Sequence, residues 1–265
     1  MRARALVAGG LAAVLLAGCA QSVDPIERLG KKAAQRVGSD GPGGDGADGR
    51  PYRHWGLLAP LHTPPRVPVR AAVRRGGLPP VVRRVGTSDK VVFLTYDDGA
   101  ERDPRFVDMV RELRLPVSMF LTDSVVGPGY GHFARLQSVG ASIQNHTLDH
   151  PALRGLPYPG QRAEICGQQE KVRSRFGIRP RLFRPPYGTY DRTTLRAAAD
   201  CGLSAVVLWS VSPAGGAPQR PLRAGDIVSV ASGEASGPTL TERTTRVLRE
   251  IERRGLTVGR LEDYL

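Results

Sequence analysis

The chain predicts an α/β fold: a distorted or incomplete (β/α) barrel of about seven strands, with an open doubly wound sheet as the alternative. Three observations predict it. From Lys90 onward, strand-like apolar runs alternate with segments of helical period, the pattern of parallel strands covered by helices. The first run is almost continuously apolar, as strands buried on both faces are. Asp97, Asp98, His146, Arg184 and Trp209 all fall at or just after the ends of such runs, where ligands sit in either fold.

The elements follow in order. "KVVFLTY" is the first strand of the alternating region. Asp103 and Pro104 make an N-cap and first-turn pair, and Phe106, Val110 and Leu113 continue at helical spacing. "PVSMFLT" reads as a strand, "GHFARLQSVG" as a helix closed by Gly140, and "ASIQNH" as a strand. A long helix, "PGQRAEICGQQEKVRSRFG", ends at Gly177; "RLFRPP" is strand-like and stopped by its prolines. "DRTTLRAAADCG" is helical, and "SAVVLWSV" and "DIVSVA" are strands. "TERTTRVLREIERRG" is a helix with Val247, Leu248 and Ile251 inward, and "LTVGRLEDYL" closes the chain.

Before this region the 265-residue chain changes character. Arg2 and Arg4 precede an apolar stretch that is short and rich in small residues, as an export signal is, and it ends in "LAGC". Those residues resemble a bacterial lipobox, which implies cleavage before Cys19, lipidation of that cysteine and anchoring on the outer face of the cytoplasmic membrane. Residues 1–19 are thus read as a lipoprotein signal and 20–50, rich in Gly and Asp, as a flexible linker. Residues 51–88 are a Pro-rich arm whose Trp55, Leu57, Leu58 and Leu61 are placed to dock on the domain spanning 89–265. An exported location permits a disulfide between Cys166 and Cys201, with two separately buried thiols the alternative. The net charge is +13, and only four of the 38 basic residues are lysine. Such charge suits anionic surfaces, but no nucleic-acid-binding signature accompanies it, so nucleic acid is not expected.

Two neighbouring carboxylates, Asp97 and Asp98, end the first strand. Side chains alternate along a strand, so the pair cannot share a direction while the strand lasts. His146 and His150 in "HTLDH" stand four apart, and a helical turn there would place both imidazoles on one face for a metal ion. No Glu follows the first His, so a general base must come from elsewhere; a carboxylate as third ligand would complete a common catalytic zinc set. "FRPPYG" sets Arg184 on a stiff turn, with the Tyr187 backbone held to offer an N–H to a developing oxyanion.

"TYDDG", "HTLDH" and "RPPYG", in this order and at these separations, resemble the first three motifs of the NodB-homology polysaccharide deacetylases, carbohydrate esterase family four. The resemblance runs from about Lys90 to the C-terminus and implies a distorted (β/α) barrel. It implies Asp97 as catalytic base, Asp98, His146 and His150 as ligands of a divalent metal, zinc foremost, and Arg184 as the group orienting Asp97. It also implies an acetylated glycan, such as peptidoglycan, as substrate. A monomer is expected.

The chain departs from the family at the general acid. The family draws this acid from a His in a Leu-x-His motif on a late strand. Here Ser229 stands for the Leu and Ala231 for the His, and within "LWSVSP" Trp209 is present but Ser210 and Ser212 occupy the positions where acidic residues are expected. The histidines are His54, His62, His132, His146 and His150, and none follows. Three readings stay open. Another group donates the proton, with Glu234, His132, His54 or solvent at the metal as candidates. The substrate is an ester, whose leaving group asks less of an acid. Or the protein is a catalytically impaired glycan-binding lipoprotein that keeps its metal site.

Overall fold

The computed structural model describes residues 50–65, 77–213, 215–231 and 237–265. Cys19, Glu234 and nearly all of the expected linker lie outside them. Among the described residues eight strands form one sheet: β1 (Val81–Val82), β2 (Val91–Asp98), β3 (Ser118–Leu121), β4 (Ser142–Asn145), β5 (Leu182–Phe183), β6 (Ala205–Val207), β7 (Ile227–Val230) and β8 (Thr257–Val258). The order is β1-β6-β5-β4-β3-β2-β7, all parallel, with β8 pairing the first residues of β2. The sheet curls into an incomplete barrel. Its two ends meet through one bridge instead of a ladder, Arg84 to Asp226, and Val211, just after β6, bridges Val228 of β7.

The register of β2 explains both core and site. Val91 to Tyr96 are all buried. Val92, Leu94 and Tyr96 face the helices, where they join Phe106, Val110, Val247, Leu248 and Ile251. Val91 and Phe93 face the barrel interior with Phe120, Val207, Ile227 and Leu261. Period-two alternation then sends Thr95 and Asp97 into that same interior. The floor below them is closed by Glu262, which accepts from Gln144 at 2.8 Å, from Ser118 at 3.2 Å and from Ser142.

Among the described helices are α1 (Pro51–His54), α2 (Pro104–Leu113), α3 (Asp123–Val126), α4 (Tyr130–Ser138), α5 (Tyr158–Phe176), α6 (Arg192–Asp200) and α7 (Leu240–Arg253). Asp103 caps α2, accepting from the Arg105 N–H at 2.9 Å with Pro104 following. The inward face of α5 carries Gln161, Gln168 and Gln169 beside its aliphatic residues, each donating to a carbonyl of a strand end or loop. Cys166 on α5 is joined to Cys201 at the end of α6, with Cα atoms 5.0 Å apart.

The arm differs in part from expectation. Trp55 and Leu57 are buried in the helix-side core, and Leu61 packs against it, but Leu58 is 85% exposed. The Leu58 backbone instead donates its N–H to Glu252 on α7, which turns the side chain outward. Val81 and Val82 of the arm form β1, held by its pairing with β6. Among the described residues no helix is long and apolar enough to cross a membrane.

Candidate metal and hydrolase site

Asp98, His146 and His150 meet at the carboxyl ends of β2 and β4. Asp98 Oδ1 lies 3.2 Å from His146 Nε2 and 3.1 Å from His150 Nε2, and the two nitrogens are 3.2 Å apart. The backbone reaches this arrangement through left-handed conformations. Asp98 (φ 65°), Thr147 (φ 75°), His150 (φ 60°) and Tyr187 (φ 58°) are four of the five described non-glycine residues with positive φ. Each costs about 1–2 kcal/mol against ordinary backbone, and strain of this kind gathers at functional sites. At Asp98 the left-handed turn breaks strand alternation. Asp97 keeps its interior direction while Asp98 swings toward the imidazoles. The following Gly99 (φ 84°) is required, because a Cβ there would lie 2.8 Å from Val126 and 2.9 Å from Phe133.

The 146–150 stretch is an irregular loop, not the helical turn that the four-residue spacing invites. It is tied down on several sides. Glu164 Oε2 on α5 accepts the N–H groups of Leu148 (3.1 Å) and Asp149 (3.0 Å). Asn145 Oδ1 accepts from the Thr147 N–H at 3.0 Å, and the His150 N–H donates to Thr147 Oγ1 at 3.1 Å. The buried His146 donates from Nδ1 to the Arg184 carbonyl at 2.7 Å. That bond fixes the tautomer and leaves the Nε2 lone pair facing Asp98.

A cation fits this triangle. Edges of 3.1–3.2 Å come close to the roughly 3.3–3.4 Å separations of tetrahedral ligands about 2.0–2.1 Å from zinc. Asp98 Oδ1 is buried with no hydrogen-bond donor satisfied on it, so an unmet negative charge points into the triangle. Burial alone would push the Asp98 carboxyl up, but the facing imidazoles of His146 and His150 pull it well below the usual carboxylate range. Two imidazoles and one carboxylate form a donor set that leaves a zinc position open.

Asp97 stands apart from the triad. Its Oδ1 accepts from Arg184 Nη1 at 2.6 Å and its Oδ2 from Ser229 Oγ at 3.0 Å. Arg184 is fully buried, and its remaining donors reach Thr95 Oγ1 (2.9 Å) and the carbonyls of Val207 and Leu208 (3.3 Å each). Its guanidinium also lies over the Phe120 ring at 4.2 Å and the Trp209 ring at 5.6 Å. Tyr187, a residue 65% exposed, sets its ring edge-on to His150, and no acceptor among the described residues meets its backbone N–H. Gly188 after it, at φ 65°, lies against the Trp209 ring, 3.0 Å from where a Cβ would stand.

The candidates for a replacement acid are not brought here. His54 stacks on Trp55, 4.0 Å from Glu112 of α2, on the helix side of the sheet. His132, expected on a surface helix, is buried on α4 beside Phe133, where burial lowers its pKa. Ser210 bonds Asp226 at 2.9 Å, within the seam of the barrel. Ala231 is exposed and is the first residue after β7, directly following the Tyr96–Val230 pair, so continuing the register would set it opposite Asp97. Sequence reasoning missed Glu164, Asn145 and Ser229. Asn145 was legible only as the neighbour of His146; Glu164 and Ser229 carried no local signal.

The polysaccharide deacetylase family profile matches residues 84–206. An uncharacterized protein of Streptomyces coelicolor is 61% identical over 204 residues, which cover 75% of this chain and 82% of that protein. The chitooligosaccharide deacetylase of a Bradyrhizobium species is 31% identical over 46% of this chain and 57% of its own length. For the peptidoglycan-N-acetylglucosamine deacetylase of Bacillus cereus the figures are 29%, 45% and 44%. The chain thus spans about half the length of these two deacetylases. Among solved structures, a family 4 carbohydrate esterase from Bacillus anthracis superposes with a TM-score of 0.61 at 20% identity, over 78% of this chain and 98% of that one. A CE4 family pseudoenzyme from the same species gives 0.58 at 21%, over 68% and 67%. At such identities the structures speak for the fold. Together with the profile match and the Streptomyces relative, they place this chain in the polysaccharide deacetylase family, the NodB-homology carbohydrate esterases of family four.

Proposed function

We propose that this protein hydrolyses acetyl groups from a cell-wall or extracellular glycan, peptidoglycan or a similar polymer, at a mononuclear divalent centre held by Asp98, His146 and His150. The observation that carries the reading is the division between neighbouring carboxylates. Asp98 faces two imidazole nitrogens, while Asp97 is held by Arg184 outside the triangle. A bare binding site would not need that second, separately oriented acid. A divalent cation at the triad, zinc by its two-imidazole and one-carboxylate donor set, supplies Lewis acidity toward water and an acyl carbonyl.

The chain's own groups do the rest. Each Asp97 oxygen accepts one hydrogen bond and retains a second acceptor site, so the carboxylate can take a proton from attacking water. The Tyr187 N–H, fixed by the Pro185–Pro186 turn, donates to the oxygen that gains negative charge. The acyl–nitrogen or acyl–oxygen bond then breaks, the proton held on Asp97 passes to the departing nitrogen or oxygen of the glycan, and acetate is released. An amine leaving group needs a proton that no histidine supplies, so O-acetyl esters belong among the substrates beside N-acetyl groups. The glycan class is supported by the relatives, whose names specify chitooligosaccharide and peptidoglycan N-acetylglucosamine. Lipidation at Cys19 would hold the protein to the outer face of the cytoplasmic membrane, within reach of such polymers.

The test is acetate release from acetylated glycans and aryl acetates by wild type and Asp97→Asn. Wild type should exceed the variant by about 10²–10⁴-fold. Equal background from both proteins would sink the hydrolase and leave a glycan-binding lipoprotein.

A further inference from the structure

We infer that Ser229 is a positioning residue for Asp97, completing a two-point hold on the carboxylate; the inference rests on the hydrolytic role proposed for Asp97. Strand β7 pairs with β2 so that Ser229 stands opposite Thr95. Both belong to the interior-facing row, and the next interior residue of β2 is Asp97. The Ser229 hydroxyl crosses diagonally to Asp97 Oδ2 at 3.0 Å, the reach expected between neighbouring strands. The serine itself does not wander. Its N–H donates to the Val211 carbonyl at 2.9 Å, and the residue is 4% exposed.

The hold matters because of how a carboxylate turns. The terminal torsion of Asp is broad and nearly two-fold, so one contact at Oδ1 leaves the plane soft. Arg184 grips Oδ1 from the strand-end turn after β5, and Ser229 grips Oδ2 from β7. One donor per oxygen, from two separate elements, fixes the plane. A general base needs its geometry held within about 0.5 Å and 10–20°. The hydroxyl has a single proton, and at this burial water does not readily replace it.

The experiment uses the full-length protein with Ser229→Ala, Ser229→Thr and Asp97→Asn. It reads zinc stoichiometry, kcat and KM for acetate release, and crystal structures of wild type and Ser229→Ala. Ser229→Ala should keep wild-type metal content and KM, lose about 10-fold in kcat, and show the Asp97 carboxylate rotated from its wild-type plane. Ser229→Thr, which restores the hydroxyl, should recover most of the rate. Unchanged kcat, an unrotated Asp97, or a rate loss that tracks lost metal would each overturn the inference. Should Asp97→Asn match wild type, the hydrolytic reading fails, and the crystal structures still decide whether Ser229 orients Asp97.

Discussion

Replacing Arg184 with Met should strike stability and the base while sparing the metal. Arg184 is wholly buried and is paired at 2.6 Å with an Asp97 side chain that is only 18% exposed. Removing one partner of a buried pair strands the other, and such breaks cost about 3–5 kcal/mol. The variant also strips donors from Thr95 Oγ1 and from the Val207 and Leu208 carbonyls. For a domain of this size, 3–5 kcal/mol lowers the melting temperature by about 6–20 °C. Yet the Arg184 atom that serves the metal triad is its backbone carbonyl, which accepts from His146 Nδ1 and survives the substitution. Calorimetric melting beside zinc titration at a temperature where the variant is folded separates the two effects. Arg184→Lys should fall between, since an ammonium carries the charge without the fork of donors. A loss below about 1 kcal/mol in Arg184→Met, or loss of the metal without loss of stability, would refute the reasoning.

Ala231→His returns an imidazole to the position just after β7, in register with Asp97; amide hydrolysis should rise, by up to about 10²–10⁴-fold, with ester hydrolysis gaining less, as read by acetate release from matched substrates. An unchanged amide rate would show that the missing acid is not what limits turnover. Cys166→Ser should cost about 3–4 kcal/mol, from the loop of 35 residues that the bond closes, checked by denaturant unfolding with and without reductant. Asp226 titrates at the barrel seam: burial would raise its pKa, but bonds from Arg220, the Arg223 N–H and Ser210 lower it overall. Its stabilising contribution is therefore present above the ordinary carboxylate pKa and lost as pH falls through the depressed folded value. Asp226→Asn should flatten that acid limb of the stability profile; an identical limb in both proteins would exclude Asp226 as its source.

What was legible in the sequence was local. The run Val91–Tyr96 needs no partner to declare a buried strand, and the inward trio Val247, Leu248 and Ile251 is fully buried on α7 as its period requires. The gathering of Asp98, His146 and His150 was readable because these residues lie at strand ends, and strand ends share one rim in this architecture. What was not legible depended on distant chain. The two-residue β1 is too short to carry a period and exists through its pairing with β6. The 146–150 loop takes its shape from left-handed residues and from Glu164, a helix away, which no four-residue spacing could announce. Ser229 read as a lost leucine; only the register of β7 against β2 reveals that its hydroxyl meets Asp97. His132 is an ionisable residue on a short helix, yet packing of α4 buries it beside Phe133.

The central claim is that Asp98, His146 and His150 hold one divalent ion while Asp97 stays outside the ligand set. Metal analysis and zinc titration of wild type, Asp97→Asn and the double variant His146→Ala/His150→Ala test it directly. One ion per chain in the first two proteins and none in the third is the predicted result. Stoichiometric metal in the double variant, or its loss on changing Asp97 alone, would contradict it.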